Sequence, residues 1–431
     1  MLPKQINYIT KQLREELTEV SDITGVDISN LTWMLTEYDI VRFDNDEFKT
    51  MKDIIPKIIS DNNVNQSFSI IDIGAIIRQY KLWKKHLPNV SVFYAVKCNS
   101  DPVILRTLAS LGVGFDVAST GEINMALETD TSKDKIIYAN PCKRPEHISY
   151  ARSQNINMMT FDNETELLKI ANFHPCAELI LRILVDDITN SKMKFGCKFG
   201  SSMEDVSRLL TFAKFHNLNI VGVSFHVGSS CNDSQSYYNS IERAKKVFDI
   251  AKEMGYTLSL LDIGGGFSGN NEDNLFIEMA EKINEALGIF FNDVENLKVI
   301  AEPGRFFATK SLTHIVRISG KKNIINKEDN NKKIFHYYID SSVYGMFNNL
   351  IFDKGIVKFE LLNNYKNEET FVSVIFGETC DSMDKIIEGA ELPELACGDY
   401  LYVENHGAYT LASSSSFNGF HVGKPLYVFT Y

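Results

Sequence analysis

The stretch Val92-Phe93-Tyr94-Ala95-Val96-Lys97-Cys98-Asn99 decides the fold. An apolar, β-branched run ends in one lysine, and helix signals follow at once. Asp101 can cap, Pro102 suits the first helical position, and Ile104, Leu105, Leu108 and Leu111 share a face that Gly112 ends. A second apolar run, Val113–Val117, starts directly afterwards. Runs that are apolar throughout, rather than alternating, belong to parallel strands covered on both faces.

The unit repeats. Eight such runs are present: Val92–Val96, Val113–Val117, Lys135–Ala139, Asn157–Phe161, Glu178–Val185, Asn219–His226, Thr257–Ile263 and Leu297–Glu302. Helical spacing fills the gaps. Ser201 and Glu204 fit a capping box, and Tyr237, Ile241, Ala244, Phe248 and Ala251 form a face closed by Gly255. Eight strand–helix units match a (β/α)8 TIM barrel. A doubly wound sheet usually has fewer strands, and no GxGxxG turn follows the first strand.

Beyond about Ala308 short strands dominate: Leu312–Ile318, Ile334–Ile339, Phe371–Ile375, Tyr400–Val403 and Leu426–Phe429. The expected organisation is a barrel over 67–310, a C-terminal β domain over 311–431, and an N-terminal segment over 1–66 that packs with the β domain. Gly320–Lys333, rich in Lys and Asn, is expected as an exposed hairpin loop. Ser67–Ile71 reads as a strand and Lys11–Glu19 as a helix.

Composition sets limits. The chain has 431 residues, 44% hydrophobic and 23% charged, with a formal net charge of -12. A nucleic-acid surface would need a basic face, so that class is excluded. Seven cysteines without a CxxC pair argue against a disulfide framework or a structural metal, and for a reducing compartment. No apolar run approaches a membrane span, and Met1–Glu19 lacks a signal-peptide core. The expectation is a cytoplasmic protein with no membrane, nucleic-acid or metal partner.

The unusual residues fall at strand ends. Lys97 follows the first strand and Asp116 ends the second. Arg182 lies in the fifth. His226 ends the sixth, before Gly228 and Ser229. Gly264-Gly265-Gly266 follows the seventh, and Glu302-Pro303-Gly304-Arg305 the eighth. Each alone has a bland reading: an exposed lysine, a structural ion pair, a core histidine, a tight turn. Structural accidents would scatter between both ends of the barrel, whereas these share the rim where barrel sites lie. Together they suit pyridoxal 5'-phosphate (PLP). Lys97 offers an amine for the aldehyde, the glycines and Arg305 suit the phosphate, Glu302 suits the ring nitrogen, and His226 can stack on the ring.

The sequence resembles the eukaryotic ornithine decarboxylases, within the alanine-racemase-like barrel family of PLP-dependent decarboxylases. The resemblance rests on the segment around Lys97 and on Gly114-Phe115-Asp116-Val117-Ala118-Ser119, Ile137-Tyr138-Ala139-Asn140-Pro141-Cys142-Lys143, Phe225-His226-Val227-Gly228-Ser229, Asp262-Ile263-Gly264-Gly265-Gly266-Phe267 and Ala301-Glu302-Pro303-Gly304-Arg305. In the β domain it rests on Val343-Tyr344-Gly345, Thr379-Cys380-Asp381 and Gly407-Ala408-Tyr409-Thr410. It implies decarboxylation of L-ornithine to putrescine in an obligate homodimer.

Roles follow from the resemblance. Lys97 would bind the cofactor covalently, with Asp116 and Arg182 shaping its pocket. Ser229, Gly264, Gly265, Gly266, Arg305 and Tyr409 would hold the phosphate, and Pro303 and Gly304 would also contact the cofactor. Glu302 would bind the ring nitrogen and His226 would stack. Phe352, Asp353 and Asp381 would meet the substrate, and Cys380 would return the proton. Cys380 and Asp381 would come from the neighbouring subunit, and Lys198 and Asp384 would bridge subunits. The resemblance leaves open an antizyme-like regulatory partner. Departures are Phe352 for the usual Tyr, Glu378 for Pro, Ser382 and Ser230 for Gly, and His406 for Met. The rivals are a decarboxylase of lysine or arginine and a non-enzymatic regulatory paralogue.

Overall fold

The computed structural model describes residues 38, 40–43, 48–185, 191–193, 198–269, 274–326, 332–365 and 368–430. Eight parallel strands close a barrel: β1 Val90–Ala95, β2 Gly114–Val117, β3 Ile136–Tyr138, β4 Met158–Phe161, β5 Glu178–Arg182, β6 Asn219–Ser224, β7 Leu260–Asp262 and β8 Lys298–Ala301. All eight coincide with the apolar runs and stand in chain order around the ring. Their inward side chains, among them Phe93, Ile137, Met158, Ile180, Leu260 and Ile300, form a separate plug inside the barrel. Their outward side chains, such as Tyr94, Phe115 and Leu181, pack under the helices. Alternation in a strand buried on both faces therefore separates two apolar compartments, not core from water.

Local signals act as expected at Asp101, whose carboxylate accepts from the Val103 and Ile104 amides and opens the helix Pro102–Ser110. They fail at Ser201. The helix there starts at Val206, and the Ser201 hydroxyl bonds to the Ser202 carbonyl, so no capping box with Glu204 forms. Lys11–Glu19 lies outside the described residues.

A nine-stranded sheet forms the second layer, from Val41–Phe43, Phe68–Asp72, Leu312–Asn326, Lys332–Ile339, Glu360–Leu361, Thr370–Phe376, Lys385–Pro393, Tyr400–Val403 and Leu426–Thr430. Phe68–Asp72 pairs with Leu312–Ile315 and with Leu426–Val428. This strand, placed with the barrel from the sequence, belongs to the sheet. Most of Gly320–Lys333 is not a loop: Gly320–Asn326 and Lys332–Lys333 continue a paired ladder past an irregularity between Ile318 and Gly320. Polar outward side chains on an edge ladder mimic loop composition. Asp72 joins sheet to barrel. It accepts from the Gly74 amide at the start of the helix Ile73–His86, from Arg78, and from Thr430 of the last strand.

A buried histidine pair lies at the junction that carries Tyr409. The rings of His314 and His406 stack at 6.1 Å. His314 bonds Ser69 and Ser341, and His406 bonds the Met346 carbonyl. Burial pushes His406 down to about 4, and burial plus the neighbouring His406 pushes His314 down to about 3. The unfolded chain protonates both rings below about pH 6.5 while the folded chain does not. Their contribution is therefore complete above pH 6.5 and is lost as pH falls toward 4, by about 1.4 kcal/mol per pH unit per ring. His406→Met should remove one proton's worth of that acid slope in denaturant titrations between pH 6.5 and 4; an unchanged slope would contradict this.

Candidate functional site

The rim expected from the sequence is a single cavity of about 380 Å³. It is lined by Lys97, Asp116, Arg182, His226, Ser229, Gly265, Gly266, Glu302, Gly304, Arg305, Phe352, Asp353 and Tyr409. Gly264 and Pro303 are not among the lining residues. Cys380 and Asp381 are not in it.

Lys97 reaches Asp116 at 2.5 Å across the β1–β2 register that pairs Ala95 with Asp116. Burial disfavours the ammonium, but the Asp116 and Glu302 carboxyls outweigh it and push Lys97 up. His226 is the opposite case. Burial first, then Arg182 and Lys97, push it well below its ordinary value, so the ring is neutral. Its Nδ1 accepts from the Gly228 amide at 3.0 Å, which assigns the proton to Nε2. A flat uncharged ring therefore faces the cavity.

The backbone is cut away around these groups. A Cβ on Gly265 would meet the Glu302 carbonyl at 2.7 Å and His226 Nε2 at 3.0 Å. One on Gly304 would meet the Cys98 Cβ at 2.7 Å. Gly266 has φ +113° and a Cβ there would meet the Gly228 carbonyl at 2.7 Å. Tyr409 holds φ 56° without being glycine, a sparsely populated conformation of the kind that clusters at functional sites. Its amide donates to the Cys98 carbonyl at 2.9 Å, and its ring lies under the Arg305 guanidinium at 4.9 Å.

Arg305 makes a two-pronged pair with Asp353, at 2.9 and 2.8 Å, and donates to the Ser229 hydroxyl at 2.9 Å. The residues expected for phosphate and for substrate thus touch. Several buried polar atoms have no partner among the described residues: Asp116 Oδ1, Glu302 Oε1, Asp262 Oδ2 and Arg305 Nε. Orphaned groups around a glycine-lined cavity fit a polar ligand with an anionic end near Arg305 and a ring beside His226. PLP has that chemistry, and its aldehyde requires an amine, a group that Lys97 brings to the cavity lining.

Cys380 is exposed, its thiol 3.4 Å from Asn418 Oδ1. Asp381 accepts from the Tyr344 hydroxyl and the Met383 amide, which hold its carboxyl below the usual range. Asp384, expected to bridge subunits with Lys198, is buried and takes donors from Val343 and Thr379 of its own chain. Two features went unread in the sequence. Asp262 lies buried beside Glu302, and only an acid inside the apolar run Leu260-Leu261-Asp262-Ile263 could have signalled it. Lys143 and Glu166 form a fully buried pair at 2.9 Å behind the cavity residues Asn140 and Pro141.

Residues 73–309 match the family model for the pyridoxal-binding domain of pyridoxal-dependent decarboxylases. The chain belongs to that family. It is 41% identical over 418 residues to a probable ornithine decarboxylase of Dictyostelium discoideum, covering 94% of this chain and 89% of the relative. It is 41% identical over 395 residues to an ornithine decarboxylase of Mus musculus, covering 89% and 86%. It is also 42% identical over 381 residues to antizyme inhibitor 2 of Xenopus laevis, covering 86% and 83%. Among solved structures, the arginine decarboxylase of Paramecium bursaria Chlorella virus bound to agmatine superposes with a TM-score of 0.82 at 34% identity, covering 88% of this chain and 100% of that one. These similarities support the cofactor that the cavity fits.

Gly265→Ala tests the fit. The added methyl should weaken PLP binding at least about tenfold, a loss of roughly 1.4 kcal/mol, in an absorbance titration. Unchanged affinity would mean that the glycine cradle does not face the cofactor.

Proposed function

We propose that the protein decarboxylates L-ornithine to putrescine and CO2 with PLP, at a site completed by a second copy of the chain. One observation carries the reading. Lys97, Glu302, Arg305 and Tyr409 converge on one cavity with Asp353 at its edge, while Cys380 and Asp381 stand outside it. The regulatory alternative would leave this convergence without a purpose.

Lys97 would hold the cofactor, Glu302 its ring nitrogen, and Arg305, Ser229, Tyr409 and the glycine amides its phosphate. When bound, PLP supplies the electron sink for the charge left at Cα after CO2 departs. The chain's own residues do the rest. His226 presents a neutral face that orients a ring without competing for its charge. Asp353 and Asp381 suit the distal ammonium of a basic substrate. The Cys380 thiol would return the proton to Cα from the partner copy. Because Asp353 is paired with Arg305, an anion at Arg305 and an ammonium at Asp353 would share one charge network.

Apolar side chains in water support the second copy. Ile356, 92% exposed, and Phe352 flank Asp353, and Met383 follows Asp381. A homodimer interface that joins the Asp353 and Asp381 neighbourhoods would cover them. The reading further places the enzyme in the cytoplasm and leaves an antizyme-like regulator as a candidate surface partner.

Two measurements test the proposal. CO2 release from L-ornithine should exceed that from L-lysine or L-arginine at equal concentration; the reverse order would reassign the substrate. Lys97→Ala and Cys380→Ala proteins, each inactive, should recover up to about a quarter of full activity when mixed, because half-mutant dimers retain one intact site. No recovery after verified subunit exchange would place the whole site within one chain.

A further inference from the structure

Beneath Glu302 lies a second carboxyl for which the functional reading provides no task. Asp262 ends β7 and is 1% exposed. Its Oδ1 accepts from the Gly264 amide at 2.9 Å, and its Oδ2 is buried without a partner among the described residues. Glu302 follows the adjoining strand, where Asp262 is in register with Ile300. The Glu302 amide donates to the Gly264 carbonyl at 2.7 Å, and Glu302 Oε1 is likewise buried without a partner. The two carboxyls lie within hydrogen-bonding reach of each other. Two orphaned oxygens on neighbouring buried carboxyls each need a donor, and neither carboxylate can provide one. A single proton between them satisfies both.

The surroundings agree. Burial pushes Asp262 up to about 7, with Asp116 adding and the Gly264 amide, Glu302 and Arg182 opposing. Burial, then Asp262 and Asp116, push Glu302 well up against Lys97. His226, which faces Lys97 and Arg182, is neutral. Lys97 and Arg182 are therefore set against Asp116, Asp262 and Glu302, while Arg305 and Asp353 at the same rim pair with each other.

We propose that Asp262 and Glu302 hold one proton in common, and that Asp262 takes it when a cationic ring nitrogen stands opposite Glu302. The transfer balances within the pair: the Glu302 acid becomes a carboxylate as the Asp262 carboxylate becomes an acid. Asp262 is then a positioning residue that keeps Glu302 ionised for the ring nitrogen. Only the ring nitrogen rests on the functional reading above; the shared proton is a property of the chain alone.

Infrared difference spectra of the cofactor-free protein at neutral pH test it. Wild type minus Asp262→Asn and wild type minus Glu302→Gln should each show the loss of the same protonated-carboxyl C=O band. A band that survives either substitution, or no such band in wild type, overturns the shared proton. An Asn at position 262 can still donate to Glu302, so Asp262→Asn should keep PLP affinity within about threefold, while Asp262→Leu should lose at least about tenfold. Equal losses in both variants would overturn the positioning role. Failure of wild type to bind PLP would sink the functional reading and leave the infrared result intact.

Discussion

Three buried carboxyls share the mouth of the barrel with one lysine amine, two of them acting on it directly, and the rest of the site is arranged around that constraint. Asp116, Asp262 and Glu302 are all buried, and Lys97 is the amine among them. Their placement follows from the strands. Parallel register sets Ala95 beside Asp116 and Asp262 beside Ile300, so residues at consecutive strand ends fall into one layer. The strand register fixes where these charges stand, which is the kind of placement that preorganises a site electrostatically. The Asp116 and Glu302 carboxyls hold Lys97 as an ammonium against its burial, while burial, with Arg182 and Lys97 adding, holds the nearby His226 neutral.

The sheet contributes to the same layer through a few hydrogen bonds. Asn99 donates to the Gly407 carbonyl at 3.0 Å, and the Tyr409 amide donates to the Cys98 carbonyl. The segment that carries Tyr409 is thus tied to the strand end that carries Lys97. A Cβ at Gly407 would lie 1.9 Å from the Ala308 carbonyl, so this contact depends on glycine. Tyr409 accepts a left-handed backbone and its ring supports Arg305, which in turn holds Asp353. The chain of contacts runs from barrel strand to sheet segment to the cavity's outer end. The histidine pair at the start of that segment explains why acid should loosen this part of the molecule.

The sequence was most legible where local chemistry and tertiary position agree. A lysine closing an apolar run, a glycine triplet and a Glu-Pro-Gly-Arg turn each mark a strand end, and eight such ends share one rim. It was least legible where meaning depends on distant partners. Arg305 and Asp353 lie 48 residues apart and their pairing has no sequence signature. Asp262 was masked by the glycines beside it. Ser67–Ile71 is legible as a strand, but its apolar run does not say which sheet it joins, and its partners lie at residues 312–315 and 426–428. The Lys- and Asn-rich ladder after Gly320 looked like a loop because an exposed ladder and a loop share composition. Ser201 and Glu204 carried a capping pattern that the chain does not use.

Lys97 is the proposed attachment point of the cofactor. Borohydride reduction of the PLP-loaded protein, followed by digestion and mass spectrometry of the peptides, tests it most directly. The account predicts a phosphopyridoxyl group on the peptide containing Lys97, at that residue and in near-stoichiometric yield. A label on another lysine, or a loaded protein that takes none, would contradict it.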